Sequence, residues 1–171
     1  MISPVRVIAA LTLLISLVST GIAEEPAISY QRIHSLITDQ DNRISLRVWD
    51  DGRMEIRFPS YTTRAGTYHR DLQDDEMAEL HAIFETLQPI DQSRLDQHLD
   101  QSRSQTPTHV ADADVVHFER RRNDDLEISL RAPAPDVWSR IARDVDELAV
   151  MNSAEQALRS WMDQQIARSG E

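Results

Sequence analysis

The chain has 171 residues with 29 acidic and 18 basic side chains and a formal net charge of −11, a balance that argues against nucleic-acid or anionic-membrane binding, whose footprint is basic. It contains no cysteine, which removes disulfides, thiolate-ligated zinc, thiol nucleophiles and a lipid-modified N-terminal cysteine. Every basic residue is arginine.

Met1 to Ala23 has the layout of a secretory leader: Arg6 near the start, an apolar run from Val7 to Val18, and Gly21, Ile22 and Ala23 ahead of Glu24 and Glu25. Cleavage after Ala23 is expected, because the run is shorter than the ~20 apolar residues of a membrane span and is broken by Thr12, Ser16, Ser19 and Thr20. All the acids follow this segment and only Arg6 of the basic residues lies within it, so the cleaved form would be one unit more negative than the whole. These features predict a periplasmic or secreted protein, off the membrane after cleavage, with residues 24–171 forming one domain held together by its core alone.

Ile28 to Thr38 is rich in β-formers and predicts a first strand, although its alternation is imperfect. Asp39 to Asn42 then supplies a polar turn. The next stretch, Arg43 to Phe58, organises the chain. Ile44, Leu46 and Val48, then Met54, Ile56 and Phe58, have the period of two of half-buried strands. A two-residue turn at Asp51 and Gly52 would set Val48 opposite Glu55 and Leu46 opposite Arg57, mixing core and solvent on one face. A three-residue loop of Asp50, Asp51 and Gly52 instead pairs Val48 with Met54, Leu46 with Ile56 and Ile44 with Phe58. It requires Gly52 at positive φ. The other face then carries Trp49 beside Arg53, Arg47 beside Glu55 and Ser45 beside Arg57.

Pro59 ends the second strand, Ser60 to Gly66 reads as loop, and Thr67 to Asp71 as a short strand. Leu72 to Met77 starts a helix, capped by Gln73 or Asp74, with Leu72 placed to staple onto Met77. Met77, Leu80, Phe84 and Leu87 recur at helical spacing until Pro89. A short helix from Asp91 to Leu99, capped by Asp91, would bury Leu95 and Leu99; Asp100 to Val110 is loop-like. Val115 to Arg121 and Leu126 to Arg131 predict a second hairpin with Asn123 as a left-handed loop residue, pairing Phe118 with Leu126 and Val116 with Ile128 unless the register shifts by two. Pro133 to Asp136 opens a helical region with Trp138, Ile141, Val145 and Leu148 on one face. Asn152 and Glu155 have the spacing of a capping box, so either a second helix starts there or one helix runs through.

Strands, helix, strands, helices in that order predict an α+β fold: an antiparallel sheet built from two β-hairpins, with helices packed on one face. The two hairpins, each followed by a helix, have the form of a weak internal duplication.

Two clusters are candidates for chemistry. His109, Asp112 and Asp114 precede a strand and could ligate a divalent ion that activates water, making the chain a metal-assisted hydrolase. Their spacing matches no strong metal motif. The outer face of the central hairpin gathers Arg43, Arg47, Trp49, Arg53 and Arg57 against Glu55 alone; guanidinium forks there could seat a carboxylate, a phosphate or a partner's acidic segment. The plainer alternative is that these arginines pair with the protein's own acids. No Gly-x-Ser-x-Gly elbow, phosphate loop, dinucleotide fingerprint or HExxH pair occurs, and no cofactor is implied. Binding to another envelope or secreted protein therefore ranks ahead of the hydrolase.

Overall fold

The computed structural model describes residues 24–37, 41–105 and 114–169. In chain order its elements are β1 (Ile28–Ile33), β2 (Arg43–Val48), β3 (Arg53–Phe58), β4 (Gly66–Asp71), α1 (Asp74–Glu85), α2 (Gln92–Gln105), β5 (Val115–Arg122), β6 (Asp125–Pro133), α3 (Pro135–Ile141) and α4 (Asp146–Ser169). The strands form one antiparallel sheet in the order β4-β3-β2-β1-β5-β6, and the helices pack against it. This is the α+β class that the order of elements predicts. No helix among the described residues is long and apolar enough to cross a membrane.

The central hairpin forms as its alternation requires. Val48 pairs with Met54 and Leu46 with Ile56, the Trp49 N–H donates to the Arg53 carbonyl at 3.0 Å, and Gly52 has φ +85°. Gly52 is also approached closely: a Cβ there would lie 3.2 Å from the Leu72 carbonyl oxygen. Gly52→Val is therefore expected to cost about 1–3 kcal/mol, since a β-branched residue resists that backbone region. Urea melts read this directly, and an unshifted midpoint would mean that the loop does not need its left-handed residue.

β1 lies inside the sheet, between β2 and β5, which explains its imperfect alternation: Ile28, Ser29 and Tyr30 are all buried. It ends at Ile33, short of the predicted Thr38, because a turn follows in which the Ile37 N–H donates to the His34 carbonyl at 3.2 Å. Inward side chains from the strands, Tyr30, Leu46, Ile56 and Phe118 among them, meet Leu80 and Phe84 of α1, Leu95 of α2, Trp138 of α3, and Leu148, Leu158 and Met162 of α4. The Phe118 ring is at the middle, with centroids 5.2 Å from Tyr30 and 6.0 Å from Phe84.

Helix starts follow local chemistry. Gln73 and Glu76 form a reciprocal capping box at α1, and Glu76 is buried at the position where the apolar stripe predicted Met77, which is only partly buried. The Asp91 carboxylate accepts from the N–H groups of Ser93 and Arg94 at 2.8 and 3.2 Å, starting α2 as expected, though the helix continues past Leu99 to Gln105.

One expectation changes and one open choice is decided. In the second hairpin Phe118 pairs with Leu130 and Val116 with Ala132, not with Leu126 and Ile128. Asn123 and Asp124 both take positive φ, 52° and 67°, so a two-residue turn carries the strands to Arg122 and Asp125, and a bulge between Arg120 and Arg121 resets the register. At Asn152 no helix begins, because α4 runs through it from Asp146. Glu155, the supposed partner of that cap, is turned into the core.

The two sheet edges differ. On β6 the Arg131 N–H donates to Gln92 Oε1 at 2.7 Å, and its carbonyl accepts from Gln92 Nε2 at 2.9 Å; two residues on, Pro133 has no N–H to offer. On β4 no backbone group bonds to anything but β3 among the described residues.

Candidate functional site

The outer face of the central hairpin is the sequence-predicted site whose residues all lie in described segments. Its side chains are exposed because alternation sends every second residue away from the helices. Arg47 reaches Glu55 at 3.4 Å, with half of its side chain exposed. Arg53 binds Asp51 at 2.6 Å and pairs with Glu24, while its guanidinium lies 5.1 Å from the centroid of the Trp49 ring. Trp49 is fixed in turn by donating Nε1–H to the Glu24 carbonyl at 3.0 Å. Arg57 binds Asp41 at 2.7 Å, and the same carboxylate accepts from the Ser60 N–H at 2.7 Å. Arg43 is exposed and has no acidic partner among the described residues.

These contacts hold the Asp51 carboxyl below its ordinary range, chiefly through the Arg53 side chain, and the Asp41 carboxyl likewise, through the Ser60 N–H and then Arg57. The face is thus zwitterionic. Glu55 is not its only acid: Glu24, Asp41 and Asp51 also serve it, so any bound anion must compete with carboxylates already in place. Where the face meets the β4 edge there is a cleft of about 330 Å³, bordered by Trp49, Arg53, Glu55, His69 and Asp71.

Of the predicted metal ligands, His109 and Asp112 lie outside the described residues. Asp114 is described, and its Oδ2 is engaged: Arg32 Nε donates to it at 2.7 Å, and His34 Nδ1 lies 3.0 Å away. Arg32 projects from the core face of β1 into a set of carboxylates, with Nη1 2.7 Å from Glu155 and Nη2 3.3 Å from Asp136. The Tyr30 hydroxyl donates to the same Glu155 oxygen at 2.8 Å. Burial opposes the Arg32 charge, but the hydrogen bonds it donates to Asp114 and Glu155, together with the Glu155 charge, outweigh it and drive the guanidinium pKa further up. Burial, then the Glu155 charge, raises the Tyr30 hydroxyl well above its usual value. A divalent ion brought to Asp114 would meet a fixed guanidinium within hydrogen-bond distance. No group of three or more metal-binding side chains is placed for an ion among the described residues.

No family model matches the chain, and no curated protein matches it significantly.

The Arg32 cluster was missed at the sequence level. Its one local signal is an arginine at the third inward position of a strand that otherwise buries Ile28 and Tyr30, which demands an internal carboxylate without naming it.

Proposed function

We propose that this is an exported protein that acts by binding an extended segment of another envelope or secreted protein, which pairs with β4 and lies over the Trp49–Arg53 cleft. The observation that carries this reading is the open edge of β4. The Leu72 N–H donates to the Gly52 carbonyl at 2.9 Å, so by antiparallel alternation Tyr68 and Arg70 face β3, while Thr67, His69 and Asp71 turn their backbone groups outward. An added strand would gain main-chain hydrogen bonds there, and its alternate side chains would reach the cleft, which supplies selectivity.

Tryptophan and arginine dominate interface energetics, and Trp49 and Arg53 are immobilised in advance by Glu24 and Asp51, which reduces the ordering cost on binding. Because the face carries both signs of charge, it suits a partner of mixed charge better than a polyanion. The leader-like N-terminus supports export, and the acidic balance of the chain supports a protein partner over a nucleic acid.

The test is cross-linking in the native envelope with wild type, His69→Pro and Trp49→Ala. Proline at residue 69 removes an outward N–H while leaving the ladder to β3 its donors. The expected result is one adduct mapped to β4 that both folded variants lose. An adduct retained by both would remove the basis for this reading.

A further inference from the structure

Away from the β4 edge, the loop between β3 and β4 and the C-terminal half of α4 enclose a pocket of about 310 Å³. Its floor is apolar: the wholly buried Tyr30 ring, Ile44, Phe58 and Met162. Its rim is polar, formed by Thr62 and Thr63 with the charged groups Arg64, Arg159 and Asp163. We propose that this pocket binds a small amphiphilic monocarboxylate, an acid with a short alkyl or aryl body.

Charge is the first argument. Two guanidinium groups and one carboxylate give the rim a surplus of one positive charge, in a chain whose net charge is −11. Arg64 pairs with Asp163. Arg159 has no acidic partner among the described residues; it is one helical turn beyond Glu155 and borders the same pocket as Tyr30. One uncommitted guanidinium fork matches one carboxylate in bidentate geometry.

The remaining lining decides the rest of the ligand. Asp163 at the rim disfavours a dianion such as phosphate, and the apolar floor rewards a hydrocarbon body that inorganic anions lack. A volume near 310 Å³ is at the small end of small-molecule sites and suits a compact acid. Asp163 also acts as a brake, because it holds the second guanidinium away from an incoming carboxylate.

Calorimetric titration of the purified full chain tests this, with octanoate, 3-phenylpropionate, the neutral analogue 3-phenylpropan-1-ol and inorganic phosphate as probes. At least one of the two acids is expected to bind saturably at one site, with the alcohol and phosphate weaker by about tenfold or more, the value of a hydrogen bond to a charged group. Arg159→Gln should weaken the acid by about the same factor, while Asp163→Asn, which frees Arg64, should tighten it. Both side chains are exposed, and far-UV circular dichroism would verify that the variants fold. Saturation by neither acid, equal binding of the alcohol or phosphate, unchanged affinity in Arg159→Gln, or weaker binding in Asp163→Asn would each overturn the proposal.

Discussion

Phe118→Ala is expected to lower the free energy of unfolding by about 3–5 kcal/mol, the usual cost of emptying a phenylalanine site in a packed core. Phe118 is wholly buried on β5, pairs with Tyr30 of β1 on one side and Leu130 of β6 on the other, and packs edge-on against Phe84 of α1 at 6.0 Å. Its neighbours belong to a sheet and a helix that cannot both move inward, so the space would stay largely open. Urea denaturation at fixed pH measures the loss. A cost below about 1.5 kcal/mol would show that the site collapses as volume-conserving exchanges do, and that β5 does not hold α1 to the sheet in this way.

Glu155→Ala is expected to cost about 3 kcal/mol, the lower end of the range for breaking a buried ion pair. The substitution leaves the Tyr30 hydroxyl without its acceptor and removes the least exposed of the carboxylates around Arg32, which keeps Asp114 and Asp136. Those two remaining partners are why the upper end of the range is not expected. Arg47→Ala serves as contrast: its pair with Glu55 is half exposed at 3.4 Å and should be worth less than about 1 kcal/mol. Raising salt to about 1 M should erase the Arg47 effect and leave most of the Glu155 effect, because buried pairs are poorly screened. Equal costs for the two substitutions would mean that the Arg32 cluster is solvated.

What was legible in the sequence is what neighbouring residues decide among themselves. The three-residue loop at Gly52 followed from matching two apolar sets, and the caps from residues within a single turn of helix, Gln73 or Asp74 for α1 and Asp91 for α2. The second hairpin was not legible. Several registers keep its apolar residues on one face, and the choice falls to Asn123 and Asp124, whose paired left-handed conformations only the folded turn reveals. Arg120 follows Val116 and Phe118 on the inward face of β5. It is 1% exposed and bound by Glu85 and Glu127, as Arg70 is by Glu76 at 2.9 Å. Strand alternation can say that such an arginine faces the core but not which carboxylate answers it: Glu76 and Glu127 are close in sequence to Arg70 and Arg120, while Glu155 is 123 positions from Arg32. Glu155 was misread as half of a capping box for the same reason: its spacing from Asn152 is local, while its partners are not. On the outer face, the arginines' acids come from Glu24 and Asp41 as well as the hairpin itself, so an apparently unopposed basic strip is neutralised from outside the hairpin.

The Gln92 side chain on β6 has a consequence for association. Its amide occupies the N–H and C=O of Arg131, and Pro133 offers no N–H, so near its C-terminal end that margin gives an incoming strand little to grip. Endless polymerisation through strand pairing needs two reactive ends per molecule, one to receive and one to pass on. With β6 obstructed, this sheet approaches a valency of one: a strand joined at β4 ends the chain, and two copies meeting there close into a finite pair whose −11 charges repel a third. Gln92→Ala with Pro133→Thr would restore the second end, and concentration-dependent fibres would be its signature.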